Sequence, residues 1–311
     1  MLTVQGNHFE CGFQIGSRFR LQIKSRLVKN KISSKLKKYK SDYEYIKKRV
    51  EDRFPTIASE IDGMAKGSKL PYDEIFFLNV AELSDDEHGC STIAFNKPLM
   101  LAHNEDVHSS ERASNCALIT YKLPYVTFTS YTYLGELSGN AFSWNEHGLY
   151  FTVNNINIEP KYQYIPRYVL ARVLCEAKSI TEARKLLSQN TCDSAFHYFM
   201  GDSKGIYSIE HCYRTLSFKK VSSYYFHTNH LIHNTYKSTM YGSTKERFDR
   251  LQELLPCAPL VALFDTVGRP KPVYASTGDV SRTLATVVML PLSRSVQIFE
   301  KKKKVHMLKI F

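Results

Sequence analysis

No run of apolar residues in this chain is long enough to cross a bilayer. Its first residues, Met1 to Gly16, alternate polar and apolar types without a basic stretch leading into an apolar one. Neither a membrane span nor a secretory leader is expected. Cysteines are few, seven in 311 residues, odd in number and widely scattered. They form no CxxC pair and no His/Cys ligand spacing, so structural zinc does not fit and a reducing cytoplasm does. Internal repeats and low-complexity linkers are absent as well. Acidic residues are outnumbered, 30 against 42 Lys and Arg, for a net charge of +12. Much of the excess lies between Arg18 and Arg49 and in Lys301-Lys302-Lys303-Lys304. With no nucleic-acid motif beside them, these runs read as a solvated helix face and a polar turn rather than a polynucleotide or lipid site.

What is present suffices for a large core: 43% of residues are apolar and 13% aromatic. Before about Ser84, apolar residues recur at helical spacing. They run Phe19, Ile23, Leu27, Val28, then Ile57, Ile61, Met64, Ala65, then Tyr72, Ile75 and Phe76 behind Pro71. Beyond Cys90 the pattern turns to period two or to continuous apolar runs, at Thr92–Phe95, Leu99–Ala102, Ala117–Tyr121, Val126–Tyr133 and Leu149–Val153. Two helices follow, one starting near Pro166 and one at Ser179, where Ser179-Ile180-Thr181-Glu182 has the capping-box pattern. Strands are expected again at Phe196–Met200, Ile206–Ile209 and Tyr224–His227. Then come a helix from Ser243 through Leu255 and strands at Leu284–Leu290, Val296–Phe299 and Val305–Ile310. This order suggests an α+β protein of two packed sheets with helices on the outer faces.

Between the helical arm and the first strand stands Gly89-Cys90-Ser91-Thr92. A cysteine here is most often a small buried hydrophobe. Freed at its own nitrogen, however, it carries both a thiol nucleophile and an α-amine with a pKa of ~7.7 to 8.0, a suitable base for that thiol. Self-cleavage through attack of the thiol on the Gly89 carbonyl would free it, and Gly89 has no side chain to obstruct the approach.

Five ordered blocks carry a resemblance that spans nearly the whole chain. They are Gly6-Asn7-His8-Phe9-Glu10-Cys11-Gly12-Phe13-Gln14-Ile15-Gly16, then Gly89-Cys90-Ser91-Thr92 with His103-Asn104-Glu105-Asp106, then Asn145-Glu146-His147-Gly148-Leu149. His227-Thr228-Asn229-His230 and the segment Ser281 to Met289 follow. The chain resembles the acyl-coenzyme A:6-aminopenicillanic acid (isopenicillin N) acyltransferase family of N-terminal-nucleophile hydrolases, peptidase family C45. That resemblance implies a four-layer αββα sandwich of two antiparallel sheets, with cleavage before Cys90 into segments 1–89 and 90–311 that remain one structural domain. It further implies Cys90 as nucleophile, Asp106 holding the freed amine, Asn229 donating to an oxyanion, and Ser281 and Arg282 ordering nucleophile and pocket.

Singly, these residues have ordinary readings: Asp106 a turn residue, Asn229 a loop cap, Arg282 a surface ion pair. A Cys90 pairing with His227 or His230 is disfavoured, because the terminal amine makes a histidine base unnecessary. Ser91 after the cysteine, and Ala102, His103 and Glu105 around Asp106, depart from the family pattern, so acyl-acceptor specificity does not carry over. The expected activity is cleavage or transfer of acyl groups on small N-acyl amines or amino-acid conjugates. No cofactor is expected, acyl-coenzyme A entering only as a co-substrate. Two other readings are a membrane-surface lipid amidase like the acid ceramidases and a non-catalytic basic binding module.

Overall fold

The computed structural model describes residues 1–80, 89–109, 111–240, 243–254, 259–267, 272–276 and 281–309. Strand β1 (Leu2–Gln5) leads into helices α1 (His8–Arg18), α2 (Arg20–Lys29), α3 (Ile32–Lys38), α4 (Lys40–Arg53), α5 (Pro55–Ser68) and α6 (Tyr72–Leu78). Next are β2 (Gly89–Asn96), β3 (Leu99–His108), β4 (Cys116–Leu123), β5 (Val126–Tyr133), β6 (Phe142–Asn145) and β7 (Tyr150–Ile156). Helices α7 (Arg167–Leu174) and α8 (Ile180–Ser188) precede β8 (Ala195–Asp202), β9 (Gly205–Cys212), β10 (Thr215–Lys220) and β11 (Tyr224–His227). The chain closes with α9 (Thr244–Leu254), α10 (Pro259–Leu263), β12 (Ser281–Leu290), β13 (Ser295–Glu300) and β14 (Lys303–Lys309). The switch expected near Ser84, like Leu255 and Ile310, lies outside the described residues.

One sheet has the order β1-β4-β5-β6-β7-β8-β9-β10 and the other β11-β2-β3-β12-β13-β14. Side chains alternate across each strand, and the alternation sorts them into layers. On β4, Ile119 and Tyr121 pack with the helices α1 to α8, while Leu118 joins Phe142, Trp144, Val287 and Met289 between the sheets. On the far face of the second sheet, Ile93, Ala102 and Val288 pack against Leu251, Ala262 and Leu263 of α9 and α10. The result is the expected αββα sandwich, with one correction: β1 pairs parallel with β4. More than a hundred residues separate the two strands, so no tight hairpin dictates an antiparallel direction.

The N-terminal helices are integral to this sandwich, since one apolar cluster runs from Val4 through the helices to Ile209. Helices α1 and α5 cross at backbone contact. A Cβ at Gly12 would stand 2.0 Å from the Glu60 carbonyl oxygen, and one at Gly67 would stand 2.1 Å from that of Phe13. Gly12 and Gly16 of the opening block, the latter with a Cβ that would stand 2.1 Å from the Met64 carbonyl oxygen, therefore serve close helix packing. Asn7 caps α1, its Oδ1 accepting from Glu10 N at 3.0 Å while the Glu10 carboxylate accepts from Asn7 N at 2.8 Å.

A buried charge cluster ties α5 to α7. Arg172, fully buried, donates through Nε and Nη2 to Glu60 and through Nη1 to Glu176 at 2.7 Å. Burial pushes the Glu176 carboxyl up, but Arg172 and His8 outweigh it and hold the group down at about 2.

Some sequence expectations need refinement. Val28 is exposed, because it sits about 140° around α2 from the buried Ile23, whereas Arg26 and Leu27 fall on the inner face. Ser179 does cap α8 through Glu182 N, but the Glu182 carboxylate returns to Lys178 N rather than to Ser179 N. Strands β1, β6 and β10 and the five-residue α10 were not read from sequence. Lys301 and Lys302 occupy the turn between β13 and β14. Among the described residues no helix is long and apolar enough to cross a membrane.

Candidate active site

Register decides which side chains meet Cys90. Strand β2 pairs with β3 so that Gly89 stands opposite Asp106, Cys90 opposite Glu105, Ser91 opposite Asn104 and Thr92 opposite His103. Alternation then sends Cys90, Thr92, His103 and Glu105 into the layer between the sheets, where Tyr133 of β5 and Asn154 of β7 bond to Glu105 and Thr92. Ser91, Asn104 and Asp106 face the other way, and Asn104 donates from Nδ2 to the Leu263 carbonyl of α10 at 2.8 Å.

The Cys90 backbone is clamped on both sides. Its N–H donates to Asn229 Oδ1 at 2.9 Å, and its carbonyl accepts from Arg247 Nη1. The same guanidinium donates to Ser91 Oγ at 2.8 Å, to Asn229 Oδ1 at 2.6 Å and, from Nε, to Ser243 Oγ at 2.8 Å. With two donors converging on it, the Asn229 atom facing Cys90 must be the oxygen. A Cβ on Gly89 would approach Arg247 Nη2 to 3.2 Å, so the residue before the cysteine is small for a packing reason too.

Around the thiol, charge is dense and exposure is slight. Cys90 is 3% exposed and its Sγ lies 3.9 Å from Glu105 Oε2. Glu105 Oε2 in turn lies 2.9 Å from His103 Nε2, and Glu105 Oε1 accepts from Tyr133. Burial, then the Glu105 and Asp106 carboxylates, push the thiol pKa well up, against Arg247 and the Asp106 backbone N–H, which pull it down. Burial likewise raises Asp106 to about 6, against the pull of Arg247 and of Thr283, whose Oγ1 donates to it at 2.6 Å. Sγ of Cys90, a nitrogen of His103 and a Glu105 oxygen all lie within 4.8 Å of one another. His103 is already bonded at both nitrogens, to Thr92 and to Glu105, so the trio reads as a hydrogen-bonded set.

Cys90, Asp106 and Asn229 thus come together, in geometry that differs from expectation in two respects. Asn229 Nδ2 donates to the Asn155 carbonyl at 2.8 Å, so its amide group is not directed as an oxyanion donor. Ser281 and Arg282 lie opposite His108 and Val107, and from that block it is Thr283 that reaches Asp106. The cation acting on both Cys90 and Asp106 is Arg247. His227 bonds Glu210 and stacks on His197 with ring centroids 3.6 Å apart, while His230 lies beside Thr228 and Thr244. Asn145 proves structural, its amide bonding the Cys175 and Ala177 carbonyls.

Arg247, Thr283, Tyr133 and Asn154 escaped the sequence reading. For Arg247 a signal existed: Thr244, Arg247 and Leu251 share one helical stripe, and that stripe is the buried one. A charge on an apolar stripe demands a partner. Arg247→Lys keeps the charge but cannot fork to four acceptors, and loosening the Cys90 backbone is expected to slow any chemistry there by about 10²-fold. Scission rate measured beside circular dichroism checks this, and an unchanged rate in a folded variant removes the clamp.

The sequence model of the acyl-coenzyme A:6-aminopenicillanic acid acyl-transferase family matches residues 94–304, and the chain belongs to that family. Among curated relatives it is 26% identical over 247 residues to the β-alanyl-dopamine/carcinine hydrolase of Drosophila melanogaster, covering 68% of this chain and 64% of that protein. It thus spans a little under two thirds of that relative's length. It is 24% identical to the 40 kDa form of the acyl-coenzyme A:6-aminopenicillanic-acid-acyltransferase of Emericella nidulans, over 75% of this chain and 70% of that one. Solved structures similar to it include a conjugated bile acid hydrolase from Clostridium perfringens, at 12% identity and a TM-score of 0.47 over 72% of this chain and 92% of that one. Penicillin V acylase from Agrobacterium tumefaciens is similar at 11% identity and a TM-score of 0.41 over 71% and 86%.

Proposed function

We propose that the protein is a cysteine N-terminal-nucleophile enzyme that cuts itself before Cys90 and then hydrolyses or transfers acyl groups of small N-acyl amines through a thioester. The observation that carries this reading is the placement of Cys90. It stands at the start of β2 with its nitrogen held by Asn229 Oδ1, its carbonyl held by Arg247, and its thiol turned into the buried layer between the sheets. A nitrogen held by an acceptor at 2.9 Å is a nitrogen that stays beside its own sulfur once freed. Asp106, with its raised carboxyl, remains the residue we assign to the amine, together with the Asn229 oxygen, and Ser281 and Arg282 remain assigned to the pocket, whereas Asn229 Nδ2, bonded to the Asn155 carbonyl, is not assigned to the oxyanion. No cofactor is required, because thiol and base come from one residue. Water resolving the thioester gives hydrolysis, and an amine or a coenzyme A thiol gives transfer.

The family and the named relatives support amide substrates, and β-alanyl amines such as carcinine head the series to assay. A reducing cytoplasm suits a free catalytic thiol. The two pieces are expected to stay together, because the buried Glu60–Arg172 pair and the common core cross between them.

The test is a gel with N-terminal sequencing. Cleavage divides the chain into 89 and 222 residues, about 10 and about 25 kDa of the 35.8 kDa total. The larger piece should begin Cys-Ser-Thr, bind thiol-directed acyl probes and release amine from the substrate series. Protein that stays whole and ignores such probes removes the enzyme reading.

A further inference from the structure

The α-amine that serves the mature site as base does not exist until the Gly89–Cys90 bond is cut. The uncut chain needs another acceptor for the proton of a thiol that its surroundings hold neutral. Resting on the self-cleaving reading above, we propose that Glu105 is that acceptor, acting in the scission step alone.

The hydrogen-bond directions around Glu105 follow from one fixed end. Asn154 Nδ2 donates to the His227 carbonyl at 3.4 Å, so its Oδ1 accepts the Thr92 hydroxyl proton at 2.7 Å. Thr92 has one proton and has used it, so at 2.7 Å its oxygen accepts from His103 Nδ1, which therefore carries hydrogen. One further proton lies between His103 Nε2 and Glu105 Oε2, 2.9 Å apart. With that proton on the imidazole, Glu105 is a carboxylate balanced by an imidazolium, and Tyr133 donates to its other oxygen. Its Oε2 faces Cys90 Sγ at 3.9 Å, within reach of the S–H. Asp106 is placed differently: it offers the sulfur its backbone N–H, and its carboxylate is taken up by Thr283.

The step balances within the chain and one water. Glu105 takes the Sγ proton, and the thiolate attacks the Gly89 carbonyl carbon to form a C–S bond. The C–N bond to Cys90 breaks as Glu105 returns the proton to the leaving nitrogen. Water then adds to the thioester, restoring the thiol and leaving a Gly89 carboxylate, and its released proton is held by the new α-amine. Once the amine gives up that proton to solvent it is the base for the restored thiol, and Glu105 is no longer needed as one.

The experiment follows scission of full-length chain made by cell-free translation, timing the appearance of the 222-residue piece. Glu105→Gln keeps shape and removes basicity, its oxygen accepting from Tyr133 and its amide N–H donating to a neutral His103 Nε2. It is expected to melt within a few degrees of wild type and to cut at least about 10²-fold more slowly, the size of a general-base contribution. Cutting within about threefold of wild type overturns the assignment. If Glu105→Gln does not melt cooperatively, Glu105→Asp is read instead. It keeps the carboxylate and draws it back by one methylene, so slowing of about tenfold or more is expected, and a wild-type rate overturns the proposal. Wild type that never cuts sinks the self-cleaving enzyme, whereas wild type that cuts beside a freely cutting Glu105→Gln sinks only the choice of base.

Discussion

A chain carrying Cys90→Ala is expected to run as one band near 36 kDa and to lose the proposed amide-cleaving activity by on the order of 10⁶-fold, the scale on which removing a covalent nucleophile acts. The fold should survive. Cys90 is buried, alanine is smaller and fits the space, and among the described residues the thiol's one side-chain hydrogen bond is the long one to Glu105. The backbone clamp from Asn229 and Arg247 engages main-chain atoms, which alanine retains. Loss of both scission and turnover with an unchanged melting curve therefore isolates the chemistry. A Cys90→Ala chain that still divides into two pieces would mean a protease made the cut and the thiol did not.

The second large effect is on cohesion. Arg172→Met is expected to cost about 3–5 kcal/mol of stability, because it leaves Glu60 with no exposure to water and without its cation. In material already cut, the same change should release the smaller piece, since Glu60 lies on α5 and Arg172 on α7 across the junction. Combining Arg172→Met with Glu60→Gln removes both charges of that pair and should recover the part of the loss that Glu60 causes, Glu176 keeping His8 as its partner. Urea melts of the three variants check the cycle, and size-exclusion chromatography of cut protein checks the release. Single and double variants of equal stability would show that the pair does not hold the pieces together.

Long periodic segments were legible, and of the four-residue strands Tyr224–His227 was legible while β1 and β6 were not. Helix α5, strands β3 and β5 and the hairpin of β8 and β9 announce themselves through repeated apolar spacing. Strand β1 has four residues, and nothing local says that it pairs with β4 more than a hundred positions later. At the site, Cys90 was conspicuous because glycine precedes it where helices give way to strands. Arg247 was not, because an arginine in a helix rich in charge looks like any solvated one until its stripe is known to be buried.

The order of the blocks and the chemistry of a cysteine preceded by glycine were fixed by residue type alone, since thiol reactivity and backbone freedom are local properties. Tertiary structure decided which side chains share a face with that cysteine. A one-residue slip of β2 against β3 would remove Glu105 from opposite Cys90, and only the packed sheets specify the register. It also turned the Asn229 oxygen, rather than its amide nitrogen, toward Cys90, because Arg247 arrives from a helix 18 residues further along and brings a second donor to the same point.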